Sequence, residues 1–238
     1  SAPRIDPKRK DLHVKAKAKA LRRKTKKSTQ IHELLESIKL CQKEKDIWKA
    51  RKIHAELREG ELIAKDVFVA TALITTYARC GALEEAREVL EQMLTPDVIS
   101  WSALISGYAQ NGLGDEALKC FKQMKNMEVC PDAITYIWIL KACSLMGSLE
   151  IGEKIDAETR RKGLLEKHVR LSTALLDMYC KCGALEKAQT LFDELPERTV
   201  VTWSALITGY TQNGLGDEAL KCFRQMTDTG ISPTEITY

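Results

Sequence analysis

The feature that most constrains this chain is that it repeats itself at a distance of 102 residues. Trp101 to Met124 (WSALISGYAQNGLGDEALKCFKQM) and Trp203 to Met226 (WSALITGYTQNGLGDEALKCFRQM) agree at 21 of 24 positions. The match continues upstream, where Thr71-Ala72-Leu73, Tyr77 and Cys80-Gly81-Ala82-Leu83-Glu84 recur as Thr173-Ala174-Leu175, Tyr179 and Cys182-Gly183-Ala184-Leu185-Glu186. Ile38 to Cys41 falls opposite Leu140 to Cys143. Such a period has to be found before any element is assigned, because a repeat array folds by stacking copies of one small unit.

Each block divides again at extended or proline-bearing joints into units of 36, 31 and 35 residues. Six units result: residues 31–66, 67–97, 98–132, 133–168, 169–199 and 200–234, with 235–238 opening a seventh. Within a unit the apolar spacing is helical. In 200–234, Trp203, Leu206, Ile207 and Tyr210 make one stripe, and Asn213-Gly214 supplies a stop that tolerates positive φ. Asp217 and Glu218 then suit the positive end of a second helix, on which Ala219, Leu220, Phe223 and Met226 share a face. Gly230 and Pro233 end the unit, as Pro96, Pro131 and Pro196 mark other joints. A hairpin of this size cannot bury both stripes alone. The expected fold is therefore all-α, a right-handed α-solenoid of stacked helix-turn-helix units sharing a continuous core.

Charge and composition narrow the function. The formal charge of +4 conceals a division: residues 1–30 hold 12 Lys or Arg against Asp6 and Asp11, whereas residues 31–238 hold 25 basic and 31 acidic residues. The first segment is expected to be a flexible basic arm or a frayed basic helix. It is Lys-rich where transit peptides favour Arg and Ser. The body is no general polyanion binder, so any nucleic-acid contact there has to be local. No apolar run approaches the roughly 18 residues of a membrane-spanning helix.

The eight cysteines, Cys41, Cys80, Cys120, Cys130, Cys143, Cys180, Cys182 and Cys222, contain no CxxC pair, and all are expected on helices or their ends as reduced, mostly buried thiols. His13, His32, His54 and His168 share no motif from which a metal centre or a nucleophile's base could be built. Asp115-Glu116 and Asp217-Glu218 fall at helix starts, which explains them without catalysis. No cofactor, metal or small-molecule substrate is expected. Trp101, Trp203, Tyr108, Tyr210, Phe121 and Phe223 occupy the apolar stripes and are expected in the core.

These residues resemble a known family, the pentatricopeptide-repeat proteins, and in particular the subfamily that alternates long, short and standard repeats, which the lengths 36, 31 and 35 match. VVTWSALITGYTQNGLGDEALKCFRQMTDTGISPT resembles a standard repeat, VRLSTALLDMYCKCGALEKAQTLFDELPERT a short one and TYIWILKACSLMGSLEIGEKIDAETRRKGLLEKH a long one. The resemblance implies sequence-specific binding of single-stranded RNA, one base per repeat, read by the fifth and the last residue. In this sequence those are Thr71 with Asp97, Ser102 with Asp132, Thr173 with Thr199, and Ser204 with Thr234. A hydroxyl donates or accepts while Asp only accepts, so the resemblance points the first two pairs at guanine and leaves the other two weakly selective or purine-leaning. In the long units the equivalents are Leu35 with Asp66 and Ile137 with His168; an apolar side chain cannot hydrogen-bond a base, so these units are left to space the array or to contact a protein partner. The second residue of each repeat sandwiches the bases in this family, which singles out Phe68, Ile99, Arg170 and Val201.

The resemblance implies the recognition segment of a plant organelle RNA-editing or RNA-processing factor, in mitochondrion or chloroplast. The alternative is a protein-interaction scaffold using the same groove, favoured by the acidic body and the apolar long units. An enzyme would need a deaminase-like domain with paired HxE and CxxC zinc motifs, a pair that is not in this sequence and would have to lie in a further C-terminal part.

Overall fold

The computed structural model describes residue 29 and residues 31–59 and 62–233. The expected basic arm (1–30, Thr29 apart), Thr234 and the start of a seventh repeat at 235–238 lie outside the described residues. Every element among those described is a helix or a turn. Two compact units divide at Thr95 and Pro96.

The first unit holds α1 (31–44), α2 (Ile47–Glu59), the single turn α3 (Leu62–Lys65), α4 (Val67–Arg79) and α5 (Leu83–Gln92). Its core is built from Val69, Ala70, Leu73, Ile74 and Tyr77 of α4 with Ala86 and Val89 of α5, all fully enclosed. His54 of α2 is buried too, its Nδ1 3.1 Å from the Tyr77 hydroxyl and its Nε2 3.4 Å from Gln92 Oε1. Burial opposes a charged imidazole there and holds its pKa below the usual histidine value.

The second unit is four consecutive hairpins: α6 (Val98–Gln110) with α7 (Gly114–Asn126), α8 (Ala133–Met146) with α9 (Leu149–Arg161), α10 (Val169–Lys181) with α11 (Leu185–Glu194), and α12 (Val200–Gln212) with α13 (Gly216–Asp228). The first helices lie side by side in the order α6, α8, α10, α12, and each second helix packs on its own partner. Helices α7, α9 and α11 also pack on the first helix of the following hairpin, so each apolar stripe is closed by a neighbour. The two short hairpins, α4–α5 and α10–α11, differ from the standard ones in their second helices, which are 10 residues long instead of 13.

Turn chemistry sets the hairpin angle. In α12–α13, Gly214 takes φ +76° and the Leu215 amide donates to the Tyr210 carbonyl at 2.9 Å, closing the helix with a left-handed residue. The side chain of Asn213 donates to Gly209 O at 2.8 Å and across to Cys180 O of α10 at 3.0 Å, tying the turn to the preceding hairpin. Gly209 permits that approach, because a Cβ there would collide with the side chain of Cys180.

Polar links fasten the core. Tyr136 donates to Glu158 at 2.8 Å, Tyr179 to Asp156 at 2.7 Å and Tyr210 to Gln189 at 2.9 Å, each reaching from a first helix to a second one. On the outer layer Lys125 meets Glu158 at 3.0 Å, Arg160 meets Glu194 at 2.6 Å, and Lys187 pairs with Glu153. Burial alone would raise the Glu158 pKa, but hydrogen bonds from Tyr136, Lys125 and Lys162 outweigh it and bring the carboxyl down to about 2.

Two expectations are corrected. Leu220 is exposed, although its counterpart Leu118 one period earlier is buried. Leu118 is covered by the α8–α9 hairpin, and among the described residues no hairpin follows α13 to do the same for Leu220. Cys130 lies in the exposed connection between α7 and α8, not on a helix. The remaining cysteines are buried or half-buried, and burial pushes the Cys143 and Cys180 thiols up to about 12. Trp101, Trp203, Tyr108, Tyr210 and Phe121 are core residues as expected, and Phe223 is half-buried.

Candidate nucleic-acid interface

The last residue of each of the first five sequence units turns out to be the N-cap of the next first helix. Asp66 accepts from the Phe68 and Val69 amides, both at 3.1 Å, at the start of α4. Asp97 accepts from the Ser100 amide at 2.8 Å while the Ser100 hydroxyl accepts from the Asp97 amide at 2.9 Å, a complete capping box on α6. Asp132 accepts from the Thr135 amide at 2.8 Å at α8, and Thr199 from the Thr202 amide at 3.3 Å at α12. His168 stands at the same place before α10 but makes no side-chain cap bond. The last positions are thus helix caps, where Asp and Thr accept backbone amides.

The fifth-position hydroxyls bond differently. Thr173 donates to Val169 O at 2.9 Å and Ser204 to Val200 O at 2.8 Å, each one turn back along its own helix. Ser102 instead contacts the Thr135 hydroxyl at 2.6 Å. In the first unit the Thr71 hydroxyl oxygen is enclosed and has no hydrogen-bond partner among the described residues.

The second-position residues share one property. Phe68, Ile99 and Val201 are 78%, 59% and 57% exposed, and Arg170 is exposed as well. Apolar side chains this open on otherwise well-filled helices need an explanation that core packing does not supply.

Along α8, α10 and α12 runs a groove of about 710 Å³ that brings four of the expected residues together: Arg170 and Thr173 from α10, Val201 and Ser204 from α12. Ile137 of α8, the apolar long-unit residue, lines the same groove. Among the other lining residues, which the sequence reading did not single out, two are polar, Asp177 and Thr208. Each lies four residues beyond an expected reading position, Thr173 or Ser204, and helical spacing alone puts it on the same face.

The charge pattern follows the layers. Helices α6, α8, α10 and α12 carry Lys141, Arg170 and Lys181 against Asp177 alone, so the acidic residues of the second unit lie mainly on its second helices and connections. Among the residues lining the groove Asp177 is the one carboxylate and Arg170 the one cation, so a polyanion meets little net charge there. The tripeptide His54-Ala55-Glu56 has HxE spacing, but His54 is turned into the core, and among the described residues no group of three potential ligands could hold a metal.

Models of the PPR repeat family match residues 96–144 and 198–238, and models of the single PPR repeat match residues 68–95 and 171–200. The chain belongs to the pentatricopeptide-repeat family. Among its relatives in Arabidopsis thaliana, a chloroplastic pentatricopeptide repeat-containing protein is 36% identical over 83% of this chain and 24% of its own length. A mitochondrial one is 38% identical over 76% of this chain and 28% of its own length. The chain thus spans about a quarter of these relatives. Among solved structures, the pentatricopeptide repeat protein PPR10 in complex with an 18-nt psaJ RNA element aligns with TM-score 0.66 at 21% identity, over 84% of this chain and 30% of PPR10. The PPR domain of an Arabidopsis thaliana protein-only RNase P, in complex with tRNA, aligns with TM-score 0.55 at 16% identity, over 71% of this chain and 94% of that domain. These likenesses show that the stacked-hairpin fold is the one this family uses.

Proposed function

We propose that this chain binds single-stranded RNA, one base per hairpin, as the recognition segment of an organelle RNA-editing or RNA-processing factor of the subfamily with alternating long, short and standard repeats. The observation that carries the reading is the groove in which Arg170, Thr173, Val201 and Ser204 meet along α10 and α12. It offers hydroxyls for base edges and open aliphatic and guanidinium surfaces for base faces. Support comes from the RNA-bound states of PPR10 and of the RNase P repeat domain, and from relatives named chloroplastic or mitochondrial.

In this reading Ser102 with Asp132 selects guanine, and Thr71 and Asp97 keep the roles that the family resemblance gives them. Thr173 with Thr199, and Ser204 with Thr234, discriminate weakly, and Phe68, Ile99, Arg170 and Val201 wedge between bases. The repeats position RNA and leave any chemistry to other domains or partners. Ile137 in the groove wall keeps a second reading open, in which the long hairpins also receive a protein partner through an apolar contact.

Fluorescence-anisotropy titration of the full chain with single-stranded RNA, duplex RNA and single-stranded DNA tests the proposal. Binding to the first is expected to be tightest and to weaken with salt. Val201→Asp, which places a carboxylate on the exposed groove wall, is expected to weaken it roughly tenfold, the effect of unfavourable charge and lost stacking. Equal binding of all three nucleic acids, or no effect of the substitution, contradicts the reading.

A further inference from the structure

The contact between Ser102 and Thr135 has a direction that chemistry fixes. Thr135 Oγ1 lies 2.7 Å from Asp132 Oδ1, and a carboxylate can only accept, so the single hydroxyl proton of Thr135 goes to Asp132. In the 2.6 Å contact between the two hydroxyls the proton must then come from Ser102. Ser102 has spent its only donor inside the protein and has lone pairs left to offer. Asp132 uses Oδ1 for the Thr135 amide and hydroxyl, which leaves Oδ2 outside the cap. Both expected reading residues of this hairpin therefore have acceptor lone pairs, and no donor, left for a ligand.

We propose that Thr135, a fully buried residue outside the reading positions, is a positioning residue that locks Ser102 as an acceptor and thereby sets the base preference of this hairpin. The inference rests on the RNA-reading proposal above. Two adjacent acceptors suit an edge with two adjacent donors. Guanine has one, in N1–H beside the 2-amino group. Adenine and cytosine each place one amino donor beside an acceptor nitrogen, and uracil sets a single N–H between two carbonyls. Ser102 is only 8% exposed, yet its counterpart Ser204 is equally shielded and still lines the groove.

The equivalent residue of α12 is not wired this way. Thr202 is also fully buried, but its hydroxyl donates to the Thr199 carbonyl at 2.9 Å, and Thr199 brings a hydroxyl that can donate or accept where Asp132 brings a carboxylate. The α12–α13 hairpin has the same fold and a similar cap without the relay. The fixed polarity comes from Thr135 reaching from α8 to both Asp132 and Ser102 of α6.

The test is selection from randomised single-stranded RNA by the full chain, wild type and variants, followed by affinities for defined oligonucleotides. The base position that responds to Asp132→Asn identifies this hairpin in the bound RNA. At that position Thr135→Val frees the Ser102 hydroxyl to rotate and donate, so the guanine-to-adenine ratio is expected to fall roughly three- to tenfold, the size of one hydrogen bond's net contribution. Thr135→Ser, which keeps the hydroxyl, is expected to keep the wild-type ratio. A second reading needs no variant: inosine in place of guanine at that position lacks the 2-amino donor and is expected to weaken wild-type binding by a similar factor.

If Asp132→Asn shifts the preference while Thr135→Val leaves it unchanged, the relay is overturned and base reading stands. Inosine bound as tightly as guanine overturns it as well. If no position responds to Asp132→Asn, base reading at this hairpin fails first, and the inference resting on it falls with it.

Discussion

In the proposed reading Asp132 carries two duties that a substitution can separate. As N-cap of α8 it accepts a backbone amide, and Asn can replace it there, whereas Ala cannot. Asp132→Ala is expected to cost about 1 kcal/mol of stability, read as a lowered thermal midpoint, while Asp132→Asn leaves the midpoint nearly unchanged. Two other residues tie stability to pH. Glu158 has its pKa lowered from 4.5 to about 2 in the folded chain, so its contribution is complete above 4.5 and is lost as pH falls toward 2. Glu158→Gln is expected to flatten the acid limb of the thermal midpoint measured across that range. His54 has its pKa lowered from 6.5 by burial, so its stabilisation is full above 6.5 and declines as pH drops through the lowered value. These residues report on folding, and neither bears on RNA selectivity.

At the scale of the helical hairpin, much was legible. The stripe Trp203, Leu206, Ile207 and Tyr210 is buried, Gly214 takes the positive φ that Asn213-Gly214 announced, and Asp217 and Glu218 occupy the first turn of α13. These features are local, set by helical period and turn chemistry within a few residues. What depends on the neighbouring hairpin was not legible. Leu220 was assigned to the core by its period, but the period cannot say whether a further hairpin covers it. The hydrogen bond of Ser102 to Thr135 spans 33 residues and exists only because α6 and α8 pack in one particular register. Asp177 and Thr208 became groove residues for the same reason, since a helix face acquires a function only when two helices set it beside another. Two glycines test the local and the neighbour-dependent terms separately. Gly214→Ala forces a Cβ into the left-handed region and is expected to cost about 1 kcal/mol in chemical denaturation. Gly209→Ala drives a methyl into Cys180 of the preceding hairpin and is expected to cost about 1–3 kcal/mol through overpacking.

At the scale of the chain, the question is how an acidic body can serve a polyanion. The first helices of the second unit hold Asp177 as their single carboxylate, so the groove there lies apart from most of the acidity that the whole sequence suggests. In the proposed reading recognition rests on a few well-placed hydroxyls, carboxylates and exposed apolar wedges more than on bulk attraction, and few phosphate contacts imply a shallow dependence of affinity on salt. The central claim is base reading by the hairpins, and the measurement closest to it is selection of bound sequences from randomised single-stranded RNA, comparing the wild-type chain with the double variant Asp97→Asn, Asp132→Asn. The account predicts guanine at two fixed positions for the wild type and a move toward adenine at those positions for the double variant. Bound pools with no positional preference, or an unchanged guanine preference in the double variant, would contradict it.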